Sequence, residues 1–177
     1  MNKKTLWITQ TAIMLALLIV VQVATKSLGQ IVTGSCVNFV LAMTAFAIGL
    51  SSGLVVAIVS PFIAFTLGIG PAFFTMVPGV ACGNAVFVLV IALLYSKAFP
   101  KDKKWAPFAS AWIAALAKFV TLYIVVVKLI VPSLGAPDAA KAKMSVMFST
   151  PQLATALIGG TIAALAAPAV IKAIKKE

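Results

Sequence analysis

The stretch WIAALAKFVTLYIVVV, residues 112–127, contains one charged side chain, Lys118, among apolar neighbours on both sides. Such a run is typical of a helix that crosses a membrane, which needs about 20 apolar residues to span the hydrocarbon. A lysine at the centre of a membrane helix costs about 2.5–3.5 kcal/mol to insert. We therefore expect a group near Lys118 to offset this cost.

The composition of the whole chain also indicates a membrane protein. The 177 residues are 63% hydrophobic and 10% charged, whereas a soluble domain is about 45–50% apolar and about 25% charged. The formal net charge is +11 and every basic residue is a lysine, most of them at the ends of apolar runs. Because arginine is the preferred side chain for bidentate phosphate recognition, we exclude nucleic acid and expect a lipid bilayer around most of the surface.

Six apolar runs predict an all-α protein with six transmembrane helices in a single integral membrane domain, residues 1–177. The predicted helices are about 6–26, 36–50, 53–68, 72–97, 107–131 and 150–171. The first run is too long for a signal peptide and lacks a convincing cleavage site, so we expect it to be retained. The second and third are short for a full crossing, and a re-entrant pair is the alternative there. The stretch 132–150 is predicted to be a connection.

The placement of the lysines predicts the orientation of the six helices. Nine lysines lie on the side that carries both termini and the connection near residue 101, and four lie on the opposite side. Lysine-rich loops favour the cytoplasmic side. Both termini are therefore predicted to be cytoplasmic, and the connections near 27–35, 68–74 and 132–150 are predicted to lie outside.

Small residues recur at four-residue spacing on two predicted helices. Ala12 and Ala16 lie one turn apart on the first, and Ala57 and Ala64 share one face of the third with Gly53, Ser60 and Gly68. Small side chains let membrane helices approach closely. Packing within the bundle and docking of a partner's helix are both consistent with this pattern.

In combination, the length, the six helices, the basic character and the Ala12-x-x-x-Ala16 motif resemble the S components of energy-coupling factor (ECF) transporters. These are the substrate-binding membrane subunits of vitamin-importing ABC transporters in bacterial or archaeal cell membranes, and the resemblance covers essentially the whole chain. It implies docking through the small-residue face of the first three helices onto an energy-coupling transmembrane subunit that carries two ATPase subunits. It also implies a vitamin-like ligand in the outer half, enclosed by helices four to six and the loops after helices one and three.

Lys118 is the leading candidate for contact with the ligand. The chain has three acidic residues, and the predicted topology places Asp102 and Glu177 in the cytoplasm and Asp138 in an outer loop. A lysine without a protein counter-ion predicts that the ligand supplies an anion, such as a carboxylate. Pairing with backbone carbonyls or water, and extension of the side chain to the interface, are the alternatives.

Further polar residues near or within the apolar runs are candidate ligand contacts. They are Thr33, Asn38, Asn84, Thr121, Tyr123 and Gln152. For three of them a structural role is an alternative: an interhelical hydrogen bond for Asn84, a helix cap for Gln152 and an interfacial position for Tyr123.

The sequence does not favour an enzyme. It has no histidine, no acidic residue inside a predicted span, no metal-ligand spacing and no nucleophile beside a base. It also lacks a Walker A sequence, so any ATP is expected to be used by partner subunits, and no cofactor is expected in this chain. The remaining alternatives are a self-sufficient small-solute carrier or channel and a non-catalytic structural membrane subunit.

Overall fold

A computed structural model describes residues 2–100 and 103–174. In these residues the chain is a bundle of six long helices and one short helix of ten residues, with single helical turns at Lys26–Leu28, Phe74–Met76 and Val131–Ser133. The long helices are α1 (Lys3–Thr25), α2 (Gln30–Ala47), α3 (Leu50–Thr66), α4 (Val77–Leu93), α5 (Ala106–Leu122) and α7 (Thr150–Ile174), and the short helix is α6 (Asp138–Met147). α4 continues into a π-helical turn, Leu94–Ala98, and α5 into a π-helical stretch, Tyr123–Ile130. The predicted all-helical class is confirmed for these residues.

Five helical segments are long and apolar enough to cross a membrane, and α3 is shorter. The five are Lys3–Leu28, Gln30–Ala47, Phe74–Ala98, Ala106–Ser133 and Asp138–Ile174. The count of six crossings and the cytoplasmic termini therefore stay predictions.

Two details of the predicted helices differ from the structure. The sequence places a connection at 132–150, whereas α6 forms within it, because the stretch after Pro137 is rich in alanine, lysine and methionine, which favour helix. The second helix begins at Gln30 and not near residue 36. Its first turn and a half contains polar residues, so the apolar run from which the helix was predicted begins later than the helix itself.

Glycines make the reversals at the two ends of α2. Gly29 has φ +87° and Gly49 has φ +115°, values that are open to glycine and strained for other residues. Each reversal is short, so α1, α2 and α3 run antiparallel as neighbours.

α2 lies at the centre of the bundle, where it contacts α1, α3, α4 and α7. Its closest partner is α7, because each helix places a glycine, Gly34 on α2 and Gly159 on α7, against the other helix at the crossing. A Cβ at Gly159 would overlap the backbone of Ser35 and Phe39, and Gly34 lies directly against Thr155. This close approach brings polar side chains of α2 and α7 together inside an otherwise apolar core.

The connections at 26–29, 67–76 and 134–149 lie at one end of the bundle, which we call the cavity end. The opposite end carries residues 2–3, 48–49, 99–100, 103–105 and 174.

Candidate functional site

A cavity of about 610 Å³ lies at the cavity end of the bundle. Its volume falls within the range of about 300–1,000 Å³ that is typical of small-molecule sites. Its polar and charged lining residues are Gln22, Lys26, Gln30, Thr33, Asn38, Asn84, Lys118, Lys143 and Gln152. Its apolar walls include Val37, Ile69, Phe73, Val80, Met144, Met147 and Phe148. The lining therefore combines a few convergent polar groups with a largely apolar wall.

Lys118 lies at the floor of this cavity, where side chains from three helices meet. Its ammonium donates to Oδ1 of Asn38 on α2 at 2.6 Å and to Oδ1 of Asn84 on α4 at 2.7 Å. Nζ also lies 5.5 Å from the centre of the Phe87 ring. The Lys118 side chain is only 3% exposed. These partners are neutral, so they bind the ammonium but leave its positive charge uncompensated.

A second layer of hydrogen bonds fixes the orientation of Asn38. Its Nδ2 donates to the carbonyl of Gly34 at 2.9 Å and to Oγ1 of Thr155 at 3.2 Å. The Thr155 hydroxyl in turn donates to the carbonyl of Gln152 at 3.0 Å. Because the amide nitrogen of Asn38 is bound to Gly34 on α2 and Thr155 on α7, its amide oxygen points to Lys118.

These contacts explain how the bundle accommodates a buried lysine. A hydrogen bond to a charged group is worth about 1.5–3 kcal/mol, so two of them are comparable with the cost of inserting the lysine. Extension of the side chain to the interface is inconsistent with its burial. The oxygens that accept hydrogen bonds from the Lys118 ammonium belong to asparagine side chains on α2 and α4 and not to backbone carbonyls.

Helix α6 covers one side of the cavity. Met144 and Phe148 are buried in an apolar cluster with Leu122 and Val126 from the end of α5. The cover is also tied to α2, because Nε2 of Gln30 donates to the carbonyl of Met147 at 2.7 Å. α6 thus separates part of the cavity from its surroundings.

Two further lysines lie near the mouth of the cavity. Lys26 follows α1 and donates to the carbonyl of Leu67 at 3.4 Å, and Lys143 projects from α6. Both are exposed. No carboxylate lines the cavity within residues 2–100 and 103–174. Three cationic side chains therefore face a space without an acidic residue from the described chain.

The structure brings five of the predicted ligand contacts together and leaves two outside. Those that line the cavity are Lys118, Asn38, Asn84, Thr33 and Gln152. Thr121 instead donates to the carbonyl of Ala117 at 2.8 Å. Tyr123 is exposed and stacks on Phe119 on the outer surface, below Lys128. Five residues beyond Lys118, Tyr123 is rotated about 140° around an α-helix, so it faces away from the cavity.

Several cavity residues were missed by sequence reasoning. Lys26 and Lys143 were used there only to orient the helices. Ala140, Met144 and Met147 lie at i, i+4 and i+7 of α6, the spacing of one apolar helix face. That spacing, together with Lys143, is a signal that could have identified α6 as a cavity wall. Gln22 gave no signal: it is 7% exposed, and its Oε1 has no partner among the described residues.

The residues predicted to dock a partner fall into two groups. Ala12 and Ala16 are exposed on α1. Ala57 and Ala64 are 0% and 3% exposed, because the small-residue face of α3 packs inside the bundle, and Ala64 also lines the cavity. We therefore remove Ala57 and Ala64 from the predicted docking surface.

The fold and the cavity define the chain as an all-helical, multi-pass membrane protein with a cationic cavity at one end of its bundle. A protein-family model described as "ECF transporter, substrate-specific component" matches residues 7–171. The chain belongs to this family. No curated protein and no solved structure matches it. Family members are non-catalytic, substrate-binding transport subunits that work with energy-coupling membrane and ATPase subunits.

Proposed function

We propose that this substrate-specific component binds a small organic anion in the cavity, a vitamin-like molecule whose carboxylate or similar group contacts Lys118. The observation that carries this proposal is the environment of the Lys118 ammonium. An ammonium has three N–H donors, and two of them have partners among the described residues, Asn38 and Asn84. The third donor is available to a ligand at the floor of the cavity.

The charge of Lys118 supports an anionic ligand in preference to a neutral one. The two asparagines stabilise the ammonium through hydrogen bonds but supply no opposite charge. An acidic group of the ligand would complete the hydrogen bonding and compensate the charge at once. The apolar wall formed by Val37, Val80 and the α6 methionines would hold the rest of the molecule.

For coupling to transport, we propose that α1 docks on the energy-coupling transmembrane subunit through Ala12 and Ala16. α1 buries only Thr11, Leu18 and Gln22 within the chain. Its exposed small residues would let a partner helix approach closely. ATP would then be hydrolysed by two ATPase subunits of the same complex and not by this chain.

We further propose that the cavity end faces the outside of a bacterial or archaeal cell, with six crossings and both termini in the cytoplasm. The nine-to-four distribution of lysines supports this orientation. In a chain in which Cys36 and Cys82 are replaced by alanine, an impermeant thiol reagent added to intact cells should label Ser27→Cys and Asp138→Cys. Lys104→Cys should stay unlabelled until the cells are opened. Labelling of position 104 in intact cells would contradict the orientation.

The ligand itself provides the test of the proposed function. The protein is purified in mild detergent, denatured, and the released small molecules are identified by mass spectrometry, with Lys118→Met purified in parallel. We expect an acidic molecule that is enriched with the native chain and depleted with Lys118→Met. A neutral or cationic molecule retained equally by both proteins would contradict the proposal.

A further inference from the structure

The three cavity lysines lie at two different depths. Lys118 contacts Asn38, eight residues after the start of α2, and Asn84, seven residues after the start of α4. At 1.5 Å per residue, the floor lies about 10–12 Å below the starts of these helices. Lys26 precedes α2 and Lys143 is on the covering helix α6, so both lie at the level of the mouth.

Apolar side chains line much of the space between the two levels, beside the neutral polar residues Gln22, Gln30, Thr33 and Gln152. Val37 and Val80 line it from α2 and α4, and Met144 and Met147 line it from α6. Among the described lining residues there is no acidic group to neutralise either the floor or the mouth. A cavity lined by one sign of charge with low-dielectric walls concentrates the potential in its interior. The cavity therefore matches a molecule with negative charge at both ends.

Resting on the proposed function, we infer that the ligand is an elongated dianion. One acidic group contacts Lys118 at the floor, an apolar body follows, and a second acidic group lies between Lys26 and Lys143 at the mouth. A ligand with a single acidic group would leave both mouth lysines without an anionic partner.

The test compares two probes that share a ten-carbon diacid chain and differ in one charge. Sebacate carries a carboxylate at each end, and monomethyl sebacate carries only one. Binding of both is measured by isothermal titration calorimetry to the native protein in nanodiscs, after bound molecules have been removed and with empty nanodiscs subtracted. We expect sebacate to bind at least about fivefold more tightly, as two partly exposed ion pairs at the mouth allow.

Three variants assign the preference to the two levels. Lys26→Gln combined with Lys143→Gln should abolish the preference for sebacate, because the affinity for sebacate should fall to near that for the monoester. Lys128→Gln removes one positive charge from a lysine that does not line the cavity, and it should leave the preference for sebacate intact. Lys118→Met should weaken the binding of both probes.

The outcomes separate this inference from the proposed function. Equal affinity of the native protein for the two probes, or no binding of sebacate at millimolar concentration, would overturn the dianion. If the native protein binds the two probes equally and Lys118→Met binds neither, one acidic group still contacts Lys118 at the floor, in accordance with the proposed function. If Lys118→Met binds both probes as the native protein does, the anion contact at Lys118 is wrong.

Discussion

Helices α1 and α2 are consecutive, apolar and antiparallel, yet the bundle places them very differently. Three of the 23 residues of α1 are buried within the chain, whereas nine of the 18 residues of α2 are. Glycines position α2 in two ways. Gly34 allows its close crossing with α7, and Gly29 and Gly49 form the reversals before and after it. α1 packs on α2 and α3 from one side only.

This difference shows that apolar character alone does not reveal whether a face of a membrane helix packs inside the bundle or is exposed. In α2 the polar residue Asn38 points inward, to Lys118 and Thr155. In α1 the small residues Ala12 and Ala16 point outward. The proposed ligand site therefore lies on the inner helices and the proposed docking surface on the outer helix, and each proposal can be tested separately.

The largest effect is expected where α2 crosses α7. Gly159→Leu would place a side chain where even a Cβ would overlap the backbone of Ser35 and Phe39. Overpacking of this kind costs about 3 kcal/mol or more when the backbone cannot move aside. We expect little folded Gly159→Leu protein by size-exclusion chromatography, and a lowered unfolding temperature for Gly159→Ala.

Gly135→Leu is the matched control, because nothing lies within 4 Å of a Cβ at Gly135. It should yield as much folded protein as the native chain. If Gly159→Leu and Gly135→Leu yield the same amount of folded protein, the close crossing of α2 and α7 is not required for the central position of α2.

Much of the fold could be predicted from the sequence, because the apolar runs that cross a membrane are long and their ends carry lysines. The position of each helix within the bundle could not. The small residues of α1 and α3 form similar patterns, but one set is exposed and the other is packed inside. Spacing along a helix defines a face, and only the neighbours of that face decide whether it is a surface.

The next largest effect is expected on transport. Ala12→Trp and Ala16→Trp would enlarge the exposed face of α1, and neither residue lines the cavity. We expect each variant to abolish ATP-dependent uptake in cells while ligand affinity stays within about twofold, since the cavity is untouched. Uptake of the co-purifying molecule and its affinity are measured on the same variants.

Leu17→Trp is the control on the same helix, because residue 17 is exposed and lies about 140° and 100° around the helix from residues 12 and 16. It should transport normally. Normal uptake by Ala12→Trp and Ala16→Trp would remove α1 as the docking surface, and loss of binding in these variants would show that the two surfaces are not separate.

A smaller effect is expected within the polar network itself. Asn84→Ala removes one hydrogen bond to the ammonium, which should lower the free energy of unfolding by about 1.5–3 kcal/mol. Asn38→Ala also removes the hydrogen bond to Thr155, which should add about 0.6 kcal/mol, the average for such bonds between membrane helices. Reversible unfolding in mixed micelles measures both values.

Thr44→Val on α2 serves as the reference, since among the described residues the buried Thr44 hydroxyl bonds only to the carbonyl of Val40 in its own helix. It should cost clearly less than either asparagine variant. Equal costs for all three would mean that the Lys118 network does not stabilise the bundle.

The candidate site could be predicted in part, and Lys118 is the clearest case. A charge inside an apolar run is conspicuous in any sequence, and its two asparagine partners also interrupt apolar runs. That the asparagines bind the lysine could not be predicted, because residues 38, 84 and 118 are brought together only by the packing of α2, α4 and α5. Thr121 and Tyr123 were grouped with Lys118 because they follow it on the same helix, and neither lines the cavity.

The proposed contact between Lys118 and an anion of the ligand is tested most directly by titrating the co-purifying molecule into three ligand-free proteins: native, Lys118→Met and Lys118→Arg. We predict that Lys118→Met binds at least about tenfold more weakly, equivalent to about 1.4 kcal/mol, while its helical circular dichroism is unchanged. Lys118→Arg should restore little affinity, because the planar guanidinium does not fit where two asparagine oxygens bind a compact ammonium. Native affinity in a folded Lys118→Met protein would show that Lys118 is structural and that the ligand's anion does not bind there.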